Sequence, residues 1–230
     1  MHIGLIGGIG PAATEFYYRG LVKAHAVQKR RMDLTIVHVD THEMVQNLEN
    51  NAATAQAQVF SAFTERLKAG GAEAVAITSM GGHFCITEFA ELSALPVINA
   101  IPILNAHFLK MGIERVGLLG TKTVMQSHLY GGLSAVDVVA PPTAELDRVH
   151  QEYISMAKSG VCGDDQKSYF HEAGRKLCRD QGADVVVLAG TDLFLAFGNE
   201  SHGYPIIDSA DVHIQAITEL SLNGEISIIA

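Results

Sequence analysis

Along the chain, short runs of apolar and β-branched residues alternate with stretches whose apolar positions recur every three to four residues. The runs at Ile3–Gly7, Leu34–Val39, Ala74–Ile77, Val97–Ala100, Val116–Leu119, Val136–Val139, Val185–Leu188 and Pro205–Ile207 predict strands. Helical periods over 12–27, 52–69, 84–93, 102–111, 122–131, 143–158, 165–180 and 209–221 predict the helices between them. Strands that are apolar on both faces and separated by helices belong to mostly parallel sheets covered on both sides. Crossovers in such sheets are right-handed. The predicted fold class is α/β.

The pattern also repeats. Ile3-Gly4-Leu5-Ile6-Gly7 is echoed by Val116-Gly117-Leu118-Leu119-Gly120, each followed by a helix carrying tyrosine, at Phe16-Tyr17-Tyr18 and at Leu129-Tyr130. Gly71-Ala72-Glu73-Ala74-Val75-Ala76-Ile77 is echoed by Gly182-Ala183-Asp184-Val185-Val186-Val187-Leu188. The two pairs are 113 and 111 residues apart, so both halves keep almost the same internal spacing. This predicts two pseudo-symmetric, Rossmann-like halves. The first is 1–100, joined by a C-terminal helix over 208–230, and the second is 101–207. A ligand in an open α/β sheet sits beyond the carboxyl ends of the strands. Two facing halves would therefore enclose an interdomain cleft, lined by the loops that begin at Gly7, Thr78, Gly120 and Ala189.

Those loops hold the candidate chemistry. In Gly7-Gly8-Ile9-Gly10-Pro11-Ala12-Ala13-Thr14, glycines precede a proline at a helix start. Freed N–H groups of this turn, to which Pro11 contributes none, could hold a carboxylate, which makes Gly8, Gly10, Pro11 and Thr14 candidate binding positions. The spacing is not that of a dinucleotide fingerprint, and no Walker-type lysine follows. Thr78-Ser79-Met80-Gly81-Gly82-His83 follows another strand, with Ala189-Gly190-Thr191-Asp192 as its counterpart. Gly120-Thr121-Lys122-Thr123 opens a helix, where hydroxyls can cap and Lys122 can meet an acid. Each loop could also be a helix cap and nothing more. His42, at another strand end, and Lys158, at a helix end, are weaker candidates.

The overall balance narrows the partners. With 25 acidic against 16 basic residues the formal charge is −9, and the one short basic cluster is Lys29-Arg30-Arg31. Nucleic acid is an unsuitable partner, because its recognition needs a concentrated basic surface. No apolar run approaches the roughly eighteen residues that cross a bilayer, so no membrane partner is expected. The chain opens directly on a predicted strand, and its three cysteines, Cys85, Cys162 and Cys178, form no metal-like spacing. These features suit a reducing, cytoplasmic setting without disulfides or metal.

The opening Ile3-Gly4-Leu5-Ile6-Gly7-Gly8-Ile9-Gly10-Pro11, with Ala13-Thr14 and Tyr17-Tyr18, resembles the Gly-Gly-Met-Gly-Pro-x-Ala-Thr start of the aspartate/glutamate racemase family. Val116–Thr121 is similar to that family's second-half strand and loop. Pro205-Ile206-Ile207-Asp208-Ser209 and His213 are similar to its closing Pro-x-x-Asp-Ser/Thr and histidine. The resemblance implies two α/β domains, a homodimer, and PLP-independent proton exchange at the α-carbon of a small amino acid. In that chemistry two facing cysteines act without a cofactor as acid and base, one on each side of the substrate.

Counted from the Gly-Ala before each strand, the family's Cys-Asn-Thr-x-His falls on Ser79-Met80-Gly81-Gly82-His83. Its Gly-Cys-Thr-Glu/His falls on Ala189-Gly190-Thr191-Asp192. Serine and glycine thus stand where the cysteines belong. A hydroxyl is a far weaker acid than a thiol, whose ordinary pKa is about 8.5, and glycine supplies no proton-carrying side chain at all. A two-thiol racemase cannot be assembled from these positions. Ser79, His83, Thr191 and Asp192 remain as candidate catalytic groups. Gly8, Gly10, Pro11, Thr14, Met80, Gly81, Gly82, Thr121, Lys122, Thr123 and Gly190 remain as candidate substrate-binding groups. The ligand implied is a small carboxylate or amino acid. Either an enzyme with altered chemistry, such as elimination or decarboxylation, or a non-catalytic carboxylate-binding protein fits this set.

Overall fold

The computed structural model describes residues 1–8, 10–198 and 201–224. Ile9 in the first loop and positions 225–230 of the expected C-terminal helix lie outside the described residues. In chain order the elements begin with β1 (His2–Gly7), α1 (Pro11–Val27), β2 (Asp33–His38), α2 (Thr41–Glu49), α3 (Ala53–Ala69) and β3 (Ala74–Ile77). A 3₁₀ turn over Gly81–Cys85 leads into α4 (Ile86–Leu92). There follow α5 (Ala100–Met111), β4 (Arg115–Leu119), α6 (Lys122–Gln126), β5 (Asp137–Val139), α7 (Thr143–Ser159) and α8 (Asp164–Gln181). The chain continues through β6 (Val185–Leu188), α9 (Phe194–Phe197), β7 (Ile206–Asp208) and α10 (Ser209–Asn223).

The chain divides into two compact units, Met1–Asn99 with the stretch from His213 onward, and Ala100–Val212. The first unit holds a parallel sheet in the order β2-β1-β3, and the second a parallel sheet in the order β5-β4-β6-β7. The order is the same in both, with a single parallel rung between Val75 and Val97 standing where β7 stands. The protein is thus α/β with two parallel sheets.

The repeated glycine of the Ile-Gly-Leu-Ile-Gly run has a packing cause in each unit. A Cβ on Gly4 would lie 2.9 Å from Leu67 of α3, and one on Gly117 would lie 2.9 Å from Leu177 of α8. Glycine lets each helix press a leucine directly onto the middle strand. Leu67 and Leu177 are both buried, each a side chain whose burial stabilises by about 1.5–3 kcal/mol. β3, between β1 and the Val97 rung, and β6, between β4 and β7, are buried along their whole length, as apolar strands of a helix-covered parallel sheet are.

Three expectations fail locally. The expected strand Val97–Ala100 is only that single rung, held by Val75 N–H donating to Pro96 and Ile98 N–H donating to Val75. Ala100 already opens α5. The helix expected over 122–131 stops at Gln126, because His128, Leu129 and Tyr130 adopt left-handed backbone with φ of 51°, 55° and 60°. Leu129-Tyr130 therefore ends no helix. Finally, α2 was not expected: His42 lies within it, exposed, and Asp40 caps it by accepting from Glu43 N–H at 3.0 Å.

Candidate functional site

In the first unit β1 ends in a turn built on glycine. Gly8 and Gly10 take φ of 97° and 83°, where any side chain is strained. A Cβ on Gly8 would also fall 2.5 Å from His38 Nδ1 and 2.6 Å from the Val39 carbonyl. Pro11 then starts α1 with its preset φ. The Thr14 hydroxyl turns back into the loop. It accepts from Gly8 N–H at 2.9 Å, lies 3.4 Å from the Gly10 carbonyl, and sits 3.2 Å from Thr78 Oγ1. Thr41 donates to the Gly8 carbonyl at 2.6 Å. Both threonines shape the turn. Beside it lies a hollow of about 390 Å³ against Gly8, Pro11, Thr14, Glu15, Tyr18, Ile36 and His38.

The Thr14–Thr78 contact brings this turn against the tip of β3, where Thr78 N–H donates to Ile6 at 3.0 Å. Ser79 and Met80 are buried, and the 3₁₀ turn carries Gly81, Gly82 and His83. His83 is fully buried, with Nδ1 2.8 Å from the Ser79 carbonyl. A carbonyl only accepts, so Nδ1 carries the proton. Burial pulls the imidazole down to about 4, against the weaker opposing pull of that hydrogen bond, so His83 is neutral at neutral pH.

His213 stands edge-on to His83, with ring centroids 6.2 Å apart. Its Nε2–H donates to the Ile98 carbonyl at 3.0 Å, which leaves Nδ1 to accept the Tyr17 hydroxyl at 2.9 Å. Burial, and then the neighbouring His83, pull His213 down to about 3. The result is a buried group in which Tyr17 is hydrogen-bonded to His213 and the neutral rings of His213 and His83 meet edge-on.

In the second unit the tips of β4 and β6 meet, with Ala189 N–H donating to Leu119 at 2.8 Å. Thr121 caps α6 by accepting from Val124 N–H, and the Thr123 carbonyl accepts from Ser127. Lys122 reaches Asp147 at 2.6 Å in a half-exposed pair, worth about 1 kcal/mol at most. At the β6 tip Gly190, Thr191 and Asp192 are all buried. The Tyr153 ring from α7 lies against Gly190, and its hydroxyl donates to Asp192 Oδ2 at 3.1 Å. Burial, then the Asp192 charge, push the phenol well above its ordinary 10, so it keeps its proton. Thr191 Oγ1 lies near enough to Tyr153 to draw that value slightly back, yet forms no hydrogen bond of good geometry.

Of the remaining residues, Cys85 ends the 3₁₀ turn itself, its Sγ–H directed at the Gly82 carbonyl. Lys158 is exposed in the last turn of α7. Cys85 is buried in an apolar setting that pushes its thiol to about 12, so it is inert. Cys162 and Cys178 are half-buried and also raised, first by burial. Among the described residues no group of three His, Cys, Asp or Glu could hold a metal ion, and no helix is long and apolar enough to cross a membrane.

Sequence reasoning missed several groups. Tyr17, Asp208 and His213 stand only as letters of the quoted motifs, and Tyr153 belongs to none of them. Asp208, at the end of β7, is raised to about 7 by burial and then by Asp211, with the Ala210 N–H bond opposing. The helical spacing of Leu146, Val149, Tyr153 and Met156 did mark Tyr153 as inward-facing.

The profile of the Asp/Glu/hydantoin racemase family matches residues 6–217. Among solved structures, a candidate Asp/Glu racemase from Yersinia pestis is 23% identical, with a TM-score of 0.84 over 96% of this chain and 100% of its own. An aspartate racemase homologue from Pyrococcus horikoshii is 25% identical, with a TM-score of 0.78 over 96% of this chain and 99% of its own. The aspartate racemase of Picrophilus torridus is 20% identical, with a TM-score of 0.74 over 97% and 95%.

Proposed function

The chain belongs to the Asp/Glu/hydantoin racemase family, and from that premise we propose that it binds a small amino-acid carboxylate at its strand-tip turns without two-thiol racemisation. One observation carries the reading: Gly190, which stands at the family's second cysteine position, is covered by the Tyr153 ring. The other position supports it. Ser79 has only an alcohol to offer, and His83 spends its Nδ1–H on the Ser79 backbone and is a weak base with a pKa near 4. Abstraction of an α-proton needs a stronger base than either. The glycine-rich turn after β1 keeps the close backbone approach that suits an anion. A homodimer, a cytoplasmic setting and independence from PLP belong to the same reading, by family resemblance.

Thermal denaturation with L- and D-aspartate, L- and D-glutamate and plain dicarboxylates tests it. At least one amino acid should raise the Tm in proportion to the logarithm of its concentration. A Tm unmoved by every compound removes the binding function.

A further inference from the structure

The inference concerns Tyr153 and rests on the reading above for its bearing on the ligand. Gly190 does not occupy a left-handed conformation, so its backbone would accept any residue. Space forbids one. A Cβ there would fall 2.4 Å from Tyr153 Cε2, 2.8 Å from Cζ and 3.0 Å from Cδ2. These are ring atoms and not the far end of a flexible chain. The ring cannot swing aside freely, because its hydroxyl is tied to Asp192 Oδ2 at 3.1 Å and the residue is 6% exposed. Leu193 N–H closes the turn onto the Gly190 carbonyl at 2.9 Å, so Gly190 and Asp192 belong to one tight turn beneath the ring.

We propose that Tyr153 is the specificity-determining residue of the β6 tip. Its ring takes the volume that a side chain at position 190 would fill, and its phenol pins the Asp192 carboxylate. Residues 153 and 190 therefore act as an exchange pair. With tyrosine at 153 the tip presents a fixed carboxylate and the Thr191 hydroxyl, and no proton carrier at 190. With a small residue at 153 the tip regains room for one.

The test compares Gly190→Ala, Gly190→Cys, Tyr153→Ala and Tyr153→Phe with the double variants Gly190→Cys/Tyr153→Ala and Gly190→Cys/Tyr153→Phe, all in the full chain. Forcing a side chain under the ring overpacks a buried site, so Gly190→Ala and Gly190→Cys should each lower the Tm by roughly 5–10 °C. Combining Tyr153→Ala with Gly190→Cys should cost clearly less than the sum of the two single losses, because the thiol takes up part of the space the ring leaves. Adding Tyr153→Phe should restore nothing, because the ring remains. In the rescued variant iodoacetamide should alkylate the new thiol without denaturant.

Additive losses, a Gly190→Ala protein as stable as the wild type, or equal rescue by Tyr153→Phe would overturn the proposal. Tyr153→Phe also reads the pinning of Asp192. It removes the hydroxyl that donates to the buried Asp192 carboxylate, so it should lower the ligand-free Tm by roughly 2–10 °C and, beyond that, at least halve the Tm rise produced by aspartate or glutamate. An unchanged ligand-induced rise would overturn that role. If the wild type shows no ligand-induced rise, the binding reading fails by itself, and the ligand-free coupling of 153 with 190 is still measured.

Discussion

Replacing His213 by glutamine should flatten the acid side of the stability profile. His213 is held neutral in the fold, pulled from 6.5 to about 3 by burial and by His83. In the unfolded chain it titrates near 6.5. Its contribution is therefore fully present above pH 6.5 and is lost as the pH falls toward the folded value. Each pH unit in that window costs about 1.4 kcal/mol, so at pH 5 the wild type has lost about 2 kcal/mol through His213. His83, pulled to about 4, loses a similar amount over a slightly narrower window. Glutamine does not titrate, and its amide can still donate to the Ile98 carbonyl. The variant should be less stable at pH 8, since with its NH₂ on the Ile98 carbonyl its own oxygen does not stand where Nδ1 accepts the Tyr17 hydroxyl. The gap to wild type should then close by about 2 kcal/mol between pH 8 and pH 5. Asp208 titrates in the opposite sense but identically in both proteins, so it cancels in the difference. Urea unfolding followed by far-UV circular dichroism at half-unit pH steps measures this. Parallel profiles for the two proteins would refute the neutral, buried assignment of His213.

Three further outcomes follow from other parts of the fold. Gly8→Ala combines a φ of 97° with contacts of 2.5 and 2.6 Å, and should cost roughly 2–4 kcal/mol in the same unfolding assay. A loss under about 0.5 kcal/mol would mean that the turn relaxes freely. Asp208 has a raised folded pKa near 7, so its stabilising contribution is present below the unfolded value and lost as the pH rises through 7. Asp208→Asn should therefore gain on the wild type between pH 4 and pH 8; a gap that is constant across that range contradicts the raised value. Cys85, buried and pushed to about 12, should resist iodoacetamide until the chain is denatured, while Cys162 and Cys178 react first. Mass spectrometry after timed alkylation distinguishes the three, and early loss of the Cys85 thiol would contradict the packing.

The parts of the fold legible in the sequence are those decided by local pattern. β3 and β6 fall on the residues expected because each is a four-residue apolar run, fully buried and introduced by Gly-Ala. The recurring Gly4 and Gly117 announced the duplication, although their reason, a leucine pressed onto the strand, is a tertiary fact. α2 was missed because Met44 is its one buried residue, so it has no apolar stripe. The Asp40-Thr41-His42-Glu43 start did carry a usable capping signal. The helix expected to run to 131 was cut short by three non-glycine residues in left-handed backbone, which residue type does not announce.

For the candidate site, the turns themselves were legible as glycine and hydroxyl clusters after strands. What surrounds them was not. Tyr153 meets Asp192 across 39 residues and Tyr17 meets His213 across 196, so no local spacing encodes either pair. Thr14 read as a ligand contact because it sits in a glycine-rich loop, whereas its hydroxyl is engaged by Gly8 N–H.

The central claim, binding without interconversion, is tested most directly in deuterated buffer. L- and D-aspartate and L- and D-glutamate are incubated separately with the protein, at concentrations where thermal shift reports occupancy. The α-proton is followed by NMR and the configuration by chiral chromatography. Occupied protein should leave each enantiomer's configuration unchanged. Conversion of either enantiomer into the other, at a rate proportional to protein concentration, would contradict the account.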